Sequence, residues 1–159
     1  MIFVILGTQD KQFKRLLNAI EQEIDNGNIN EEVIVQAGNT VYNSDKMQIF
    51  DLLPKDKFDQ YIQDADILIT HGGVGSILTG IKYKKVIIAA PRLSKYKEHL
   101  NDHQLQIVEK FSSDGYILAY NDGDDLGKII EKARKFVPRE YTSNNFNIIK
   151  IISDFIDNN

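Results

Sequence analysis

Short apolar runs alternate with longer amphipathic segments along the 159-residue chain. The runs are rich in Val, Ile and Leu and predict buried strands, at residues 2–6, 32–36, 47–52, 66–70, 86–90 and 116–119. Between them, apolar positions recur at helical spacing and predict helices, at residues 13–20, 54–65, 103–111 and 124–136 and in a segment that begins near Gly75 or Ser76. This alternation is typical of an α/β fold with a doubly wound, mainly parallel sheet, in a single domain over residues 1–159.

The last segment, residues 144–159, predicts an amphipathic terminal helix. Its apolar stripe is formed by Ile148, Ile151, Ile152 and Phe155 and is widened by Ile149 and Ile156. Such a face must be covered. The cover is either the core of the domain itself or a partner subunit.

The composition argues against several kinds of function. A formal net charge of -4 is unfavourable for general nucleic-acid binding, which needs an excess of Lys and Arg. Without cysteine the chain has no disulfide and no thiolate metal site, which agrees with a reducing, cytoplasmic setting. The opening "MIFVILG" is too short for a signal peptide or a membrane span and predicts a buried strand.

Positive charge is concentrated in a basic island between residues 82 and 97. Its members are Lys82, Lys84, Lys85, Arg92, Lys95 and Lys97. We interpret the basic island as a solvated face or as a surface for an anionic substrate or for membrane headgroups.

The glycine stretch "THGGVGSILTG", residues 70–80, directly follows a predicted strand. Ligands of a doubly wound sheet bind where strands deliver the chain to the next helix. We expect Gly72, Gly73 and Gly75 to allow positive φ and close approach, and the helix that follows to attract a phosphate. A tight turn without a ligand is the alternative. The stretch matches neither GxGxxG, which would need glycine in place of Leu78, nor the lysine-containing Walker A loop.

The next strand ends at Pro91, and the polar loop "RLSKYKEHLNDHQLQ" follows. Parallel strands end at one edge of a sheet, so this loop can line the same crevice as the glycine stretch. Its candidate binding residues are Arg92, Glu98, His99, Asn101, Asp102, His103 and Gln104. Arg92 could pair with phosphate, and Asp102 and Gln104 with sugar hydroxyls. A helix N-cap at Asn101 or Asp102 would explain part of the loop without a ligand.

Two separated motifs, "HGGVGS" and "PR" followed by "EHLNDHQ", carry a family resemblance. They resemble the donor-binding half of glycosyltransferase family 28, and more closely the catalytic subunits of split UDP-sugar transferases such as bacterial capsule and exopolysaccharide β-1,4-galactosyltransferases. The resemblance extends to "IFVILGTQDKQFKRLL" and "VIVQAGN" and so covers nearly the whole chain. It implies one Rossmann-like half of a GT-B enzyme.

The resemblance also implies roles for individual residues. Gly72, Gly73, Gly75 and Ser76 would hold the UDP diphosphate, with Gly7, Thr8 and His71 beside it. Asp102 and Gln104 would contact the donor sugar. Thr79 stands where many family members have a glutamate that binds the ribose, and Glu98 could replace that glutamate from the neighbouring loop.

The implied activity is transfer of a sugar, galactose in the nearest relatives, from UDP to a lipid-diphosphate-linked saccharide with inversion. UDP-sugar is the donor substrate, and no other cofactor or metal is implied, because helix N–H groups can stabilise the leaving UDP. Asp122, Asp124 and Asp125 are then capping residues. A membrane-anchored, acceptor-binding subunit would recruit the chain to the inner face of the cytoplasmic membrane.

The catalytic base is not assigned by these motifs. The candidates in this chain are Glu98, His99 and His103, and the partner subunit is the alternative source. Two other function classes stay open: a nucleotide-sugar binding module without catalysis, and another small α/β nucleotide-dependent enzyme.

Overall fold

Six parallel strands form a single sheet in the computed structural model, which describes residues 1–140 and residue 150. The strands are β1 (Ile2–Ile5), β2 (Val33–Gln36), β3 (Gln48–Phe50), β4 (Ile67–His71), β5 (Val86–Ala90) and β6 (Leu118–Ala119). Their spatial order is β3-β2-β1-β4-β5-β6, and every neighbouring pair is parallel. The doubly wound α/β fold predicted from the sequence is confirmed.

Helices cover both faces of the sheet. They are α1 (Lys14–Asp25), α2 (Lys55–Asp64), α3 (Val74–Lys82), α4 (His103–Ser113) and α5 (Leu126–Ala133), with a short 3₁₀ helix at Ser94–Tyr96 before α4. Leu16 of α1 and Ile130 of α5 belong to the apolar core on one face. Ile62 of α2, Ile77 of α3 and Phe111 of α4 belong to the core on the other. The strands β1, β2, β4 and β5 therefore bury both of their faces, which explains their nearly continuous apolar runs, whereas the edge strand β3 is largely exposed.

The structure moves several predicted boundaries by one to three residues. β4 extends to His71, so this residue ends a strand, and α3 begins at Val74. The predicted strands at residues 47–52 and 116–119 shorten to β3 and β6. These two are the edge strands, and each has a hydrogen-bonding neighbour on one side only.

The predicted terminal helix, residues 144–159, lies outside the described residues apart from residue 150. Within the part of the chain that the structure describes, no helix is long and apolar enough to span a membrane.

The basic island is not one surface, because β5 divides it. Lys84 and Lys85 precede this strand at the amino edge of the sheet, whereas Lys95 and Lys97 follow it at the carboxyl edge. The Lys85 ammonium donates to the carbonyls of Gln63 and Ala65, at the end of α2. Lys95 pairs with Asp122 at 2.8 Å. Residues 82–97 therefore do not form one continuous surface for an anionic substrate or for membrane headgroups.

The strand order places a topological switch point between β1 and β4. The chain winds outward from β1 through β2 to β3, then returns to β4 and winds the other way to β6. The loops after β1 and β4 leave the sheet in opposite directions and open a crevice at their carboxyl ends.

Gly80 lets α3 approach the sheet closely. A Cβ atom at this position would lie 2.6 Å from Ile87 Cδ1 and 3.0 Å from Leu68 Cδ1. Real carbon atoms do not pack at 2.6 Å, so only glycine fits without movement. This contact fixes the position of α3 and hence of its N-terminus.

We expect Gly80→Val to lower the free energy of unfolding by about 1–3 kcal/mol, because it overpacks the contact between α3 and the sheet. Gly75→Val is the matched control in the same helix, since a Cβ at Gly75 has no heavy atom beyond its own neighbourhood within 4 Å. Urea denaturation of both variants measures the difference. Equal destabilisation of the two would contradict the close-approach role of Gly80.

Candidate functional site

A cleft of about 400 Å³ opens at the switch point, between the carboxyl ends of β1 and β4. It joins the two loops that the sequence motifs singled out. Its lining residues are Ile5, Gly7, Thr8, Gln9, Gln36, Phe58, His71, Gly73, Gly75, Ser76 and Thr79.

The glycines of the stretch serve close packing, and the expectation of positive φ at Gly72, Gly73 and Gly75 is wrong. None of the three has a positive φ. A Cβ at Gly72 would lie 2.7 Å from Gln104 Cβ, and one at Gly73 would collide with the His71 ring. Gly75 borders the open cleft.

Positive φ occurs instead at Gly7, in the loop after β1, where φ is +77°. A side chain here would be strained, and its Cβ would lie 2.5 Å from His71 Nε2. Gly7 therefore lets the first loop approach the ring of His71 across the cleft.

The N-terminus of α3 forms the wall of the cleft. Its N-cap residue is Gly73, which has no side chain to cap the helix, and the bond from the Ile77 amide to the Gly73 carbonyl measures 3.2 Å. The amides of the first helical turn lack intrahelical acceptors and carry the positive end of the helix dipole. Ser76 and Thr79 add hydroxyl groups, and the Thr79 hydroxyl donates to the Gly75 carbonyl at 2.8 Å. This wall suits an anionic group.

His71 is buried at the end of β4 and keeps its ring neutral at neutral pH. Burial, together with the positive charge of Arg92, lowers its pKa to about 4. The hydrogen bond with Gln104 raises the pKa, and the charge of His99 lowers it further. A neutral imidazole is thus part of the cleft wall.

Arg92 is not a phosphate ligand, contrary to the sequence prediction. Its side chain is fully buried, and its guanidinium donates to the carbonyls of Leu6 (2.6 Å), Lys11 (2.8 Å) and Glu98 (3.1 Å). Burial lowers the Arg92 pKa to about 10. Arg92 joins the loop after β1 to the loop after β5 from beneath the cleft.

Glu98 is also removed from the cleft, so it is neither a ribose ligand nor a catalytic base as the structure stands. The residue is 3% exposed. Arg15 donates Nε to one carboxylate oxygen at 3.0 Å and a terminal nitrogen to the other at 2.9 Å, and the Leu93 amide donates a third hydrogen bond. Three donors occupy three of the roughly four lone-pair sites of this carboxylate, and its burial keeps the remaining site away from the cleft.

Gln104 does not reach the donor sugar either. It lies buried in the first turn of α4, where Oε1 accepts from the Arg92 amide at 3.1 Å and Nε2 lies 3.2 Å from His71 Nδ1. Its amide is used within the protein, which contradicts the predicted sugar contact.

The outer part of the β5–α4 loop is held by short-range hydrogen bonds. The N-cap residue of α4 is Asp102, whose side chain makes no capping hydrogen bond, and Asn101 Oδ1 accepts from the His103 amide. Asp102 Oδ1 accepts from the amide and the hydroxyl of Ser94, and these bonds lower its pKa. The Asp102 side chain is exposed, and its contact with a donor sugar stays a prediction.

His99 is half-buried at the rim. Its Nδ1 accepts from the Asn101 amide at 3.2 Å, and its Nε2 lies 3.3 Å from the amide nitrogen of Gln9. Burial and the charge of Arg92 lower its pKa. To act as a base it would have to give up the bond to Asn101, either to free Nδ1 or to let the proton move from Nε2 to Nδ1.

Sequence reasoning missed four residues that shape this region. Phe58 and Gln36 line the cleft, and Gln9 lies both in the cleft and beside His99. Arg15 pairs with Glu98. Only Gln36 carried a sequence signal for the site, because it is a polar side chain at the end of an apolar strand. Phe58 and Arg15 have the pattern of ordinary helix residues and gave no such signal.

No group of three or more acidic or histidine side chains that could hold a metal ion occurs among residues 1–140. Asp125 caps α5 by accepting from the Lys128 amide, as predicted, and Asp124 accepts from the Asn121 amide. Asp122 instead pairs with Lys95 and accepts from the Tyr96 hydroxyl at 2.8 Å.

Solved structures that superimpose on the chain include glycosyltransferases. The chain superimposes on the calicheamicin glycosyltransferase CalG4 with a TM-score of 0.62 at 13% identity, covering 98% of this chain and 38% of that one. It superimposes on an NMR structure of ALG13 with a TM-score of 0.59 at 19% identity, covering 94% and 93% of the two chains. The fold is thus that of one half of a GT-B glycosyltransferase.

Similarity in sequence gives the family. The model of the glycosyltransferase family 28 C-terminal domain matches residues 1–158, so the chain belongs to this family. It is 39% identical over 57 residues to "UDP-N-acetylglucosamine transferase subunit ALG13" of Candida glabrata, covering 36% of this chain and 27% of that protein. It is 26% identical over 108 residues to the protein of the same name in Candida albicans, covering 67% and 34%. The matches therefore span about a third or less of these relatives.

Acid should destabilise the fold through His71. Its folded pKa of about 4 lies below the ordinary value, so the unfolded chain takes up the proton first as the pH falls. The stabilising contribution is complete above about pH 6.5, and about 3 kcal/mol of it is lost on acidification to pH 4.

His71→Asn is the variant that measures this effect, because it keeps a hydrogen-bond acceptor near the position of Nδ1. Its free energy of unfolding should fall much less between pH 6.5 and 4.5 than that of the wild type, because only the contribution of His99, whose pKa is also lowered, is left there. Below pH 4.5 both should decline, since Glu31, whose pKa is lowered to about 2 by Arg134, loses its ion pair in both proteins. Parallel slopes above pH 4.5 would contradict the neutral, buried state of His71.

Proposed function

We propose that this family 28 domain is the donor-binding, catalytic subunit of an inverting UDP-sugar transferase. One observation carries the proposal: the cleft at the switch point has a wall of backbone amides and small hydroxyl residues at the start of α3. Diphosphate is the part of a UDP-sugar that such a wall suits best.

The chemistry follows from charge. Negative charge develops on UDP as its bond to the sugar breaks, and amide dipoles that are already oriented stabilise it without reorganisation. In the proposal, the amides near Gly73, Gly75 and Ser76 supply this stabilisation, and no metal is required. The base that deprotonates the acceptor comes from the partner subunit, because Glu98 is held by Arg15.

The donor sugar is galactose in this proposal, as the motif resemblance implies, and the acceptor is a lipid-diphosphate-linked saccharide. The two curated relatives are named for N-acetylglucosamine transfer, which makes UDP-N-acetylglucosamine the rival donor. A few contacts distinguish such sugars, so a direct comparison of donors is required.

UDP and UDP-galactose should raise the melting temperature of the purified chain, and ATP and NAD should not, since a ligand of the native state stabilises it by mass action. Gly75→Val should keep its unliganded melting temperature and lose the shift, because its side chain extends into the cleft. The measurement is a thermal-shift titration in excess EDTA. UDP-N-acetylglucosamine is the comparison donor.

A shift with ATP or NAD alone would overturn the proposal in favour of another nucleotide-dependent enzyme. UDP binding that persists in Gly75→Val would place the nucleotide elsewhere. A shift that needs added divalent cation would contradict metal independence. UDP-sugar binding without sugar transfer, in the presence of the acceptor-binding subunit, would show that the chain is a nucleotide-sugar binding module without catalysis.

Apolar side chains surround the cleft. Among the described residues, seven large apolar side chains are exposed, and six lie at the carboxyl edge of the sheet. These six are Val41, Phe50, Leu52, Tyr96, Leu100 and Leu105. Val41 and Leu52, 67% and 65% exposed, line a groove of about 310 Å³ that shares Thr8 with the cleft.

This apolar rim is the proposed docking surface for the acceptor-binding subunit. Clustered exposed apolar residues are typical of the buried part of a protein interface. The curated relatives are named as subunits, and the chain covers only 38% of a glycosyltransferase that shares its fold. A partner on this rim would close the cleft, and through its membrane anchor would recruit the chain to the inner face of the cytoplasmic membrane.

Val41→Asp and Leu52→Asp should abolish transfer to the lipid-linked acceptor while UDP binding by the purified chain persists. A charge in a buried interface costs binding energy. Val137→Asp is the matched control, because Val137 is 86% exposed and follows α5 near the amino edge. The readout is incorporation of labelled sugar into lipid-linked saccharide by cells in which each variant replaces the wild type.

Deletion of residues 144–159 tests the terminal helix as the docking element in the same assay. If only the deletion abolishes incorporation, the partner binds through the terminal segment, and the rim proposal fails. Equal loss in Val137→Asp would also count against the rim.

A further inference from the structure

The side-chain amide of Gln104 has only one possible orientation. The Arg92 backbone N–H, which can only donate, lies 3.1 Å from one of the two terminal atoms of the Gln104 side-chain amide. The atom facing it must therefore be the oxygen, Oε1. The nitrogen, Nε2, then faces His71 Nδ1 at 3.2 Å.

This orientation determines which ring nitrogen of His71 carries the proton. Gln104 Nε2 has two hydrogens and no lone pair to offer, so it can only donate. Nδ1 must accept, and a neutral imidazole that accepts at Nδ1 carries its hydrogen at Nε2. The ring is neutral because burial and the nearby charges of Arg92 and His99 oppose its protonation.

The protonated nitrogen lies on the wall of the cleft. A Cβ added to Gly7 would lie 2.5 Å from His71 Nε2, and one added to Gly73 would lie 2.9 Å from it. The two glycines thus leave the N–H uncovered between the first loop and the start of α3. Among the described residues, none accepts a hydrogen bond from it.

We propose that Gln104 is a positioning residue that holds His71 in the Nε2–H form, so that the ring donates a hydrogen bond to a phosphate oxygen of the nucleotide. The identity of the ligand rests on the proposed function, whereas the protonation of the ring does not. In this state both ring nitrogens are used, so His71 is a donor to the leaving group and not a base.

Gln104→Glu reverses the polarity of this contact. A glutamate can still accept from the Arg92 amide, but its second oxygen accepts where Gln104 donated. Nδ1 must then carry a proton, and a neutral His71 would turn a bare Nε2 lone pair toward the phosphate. Acidification would restore the Nε2–H by charging the ring, and the added carboxylate favours that charge.

The first test is ¹⁵N NMR of the His71 ring in the unliganded chain. The wild type should show the Nε2–H tautomer, and Gln104→Glu should show a protonated Nδ1. An Nδ1–H tautomer in the wild type would overturn the proposal, whether or not any nucleotide binds. This measurement therefore distinguishes failure of the positioning role from failure of the proposed function.

The second test is the pH profile of UDP-galactose binding between pH 6 and 9, a range in which its diphosphate does not titrate. Gln104→Glu should bind about tenfold to a hundredfold more weakly at pH 8, the value of one hydrogen bond to a charged group. Affinity should return toward the wild-type value at pH 6. Because His99 titrates in both proteins, the pH profile of wild-type binding is subtracted from that of the variant.

His71→Gln supplies the matched background, because its amide can donate from near the position of Nε2 without a choice of tautomer. Adding Gln104→Glu to His71→Gln should leave the pH profile unchanged. If Gln104→Glu weakens binding equally at every pH, or equally in both backgrounds, Gln104 only supports the fold and the proposal is wrong.

Discussion

The cleft depends on a cation that is buried without a carboxylate partner of its own. Arg92 donates to three backbone carbonyls, and its guanidinium lies 5.0 Å from the centre of the Phe13 ring. Burying a charge is costly unless such bonds compensate it, and removing the guanidinium would leave the buried carbonyls of Leu6 and Glu98 and the partly buried carbonyl of Lys11 without this donor. The planar, five-donor guanidinium is the side chain that can reach several carbonyls at once. Arg92 thus holds together the segments that follow β1 and β5, the two neighbours of β4 in the sheet.

A second layer of polar contacts rests on this one. The Glu98 carbonyl binds Arg92 and its carboxylate binds Arg15, so the first helix and the β5–α4 loop are tied together. The Arg92 amide orients Gln104, and Gln104 in turn contacts His71. Three residues that looked like ligand contacts in the sequence thus form the support beneath the cleft. The surface left for a ligand combines glycines, short hydroxyl side chains and one imidazole edge with the side chains of Ile5, Gln9, Gln36 and Phe58.

The fold was predictable because each strand and helix carries its own local signal. Apolar runs such as residues 86–90 and helical spacing such as that of residues 13–20 need no knowledge of distant residues. The place of the site followed from topology, since the glycine stretch comes after a strand. The roles of Arg92, Glu98 and Gln104 did not follow, because an Arg or Glu in a polar loop has the same local pattern whether it points outward or inward. Contacts such as Arg15 with Glu98, far apart in sequence, decide between these cases.

The bare backbone of the cleft wall has a consequence for how donor preference can change. Amides and glycines respond to the charge and shape of a diphosphate, and they carry no side chain that distinguishes one sugar or base from another. In the proposed function, phosphate binding and donor choice would therefore be located in separable parts of the molecule. Under that proposal, substitutions along the exposed β5–α4 loop would alter the accepted sugar while the proposed nucleotide-stabilising groups stay unchanged. A domain of this kind can diversify its substrates without rebuilding its catalytic chemistry.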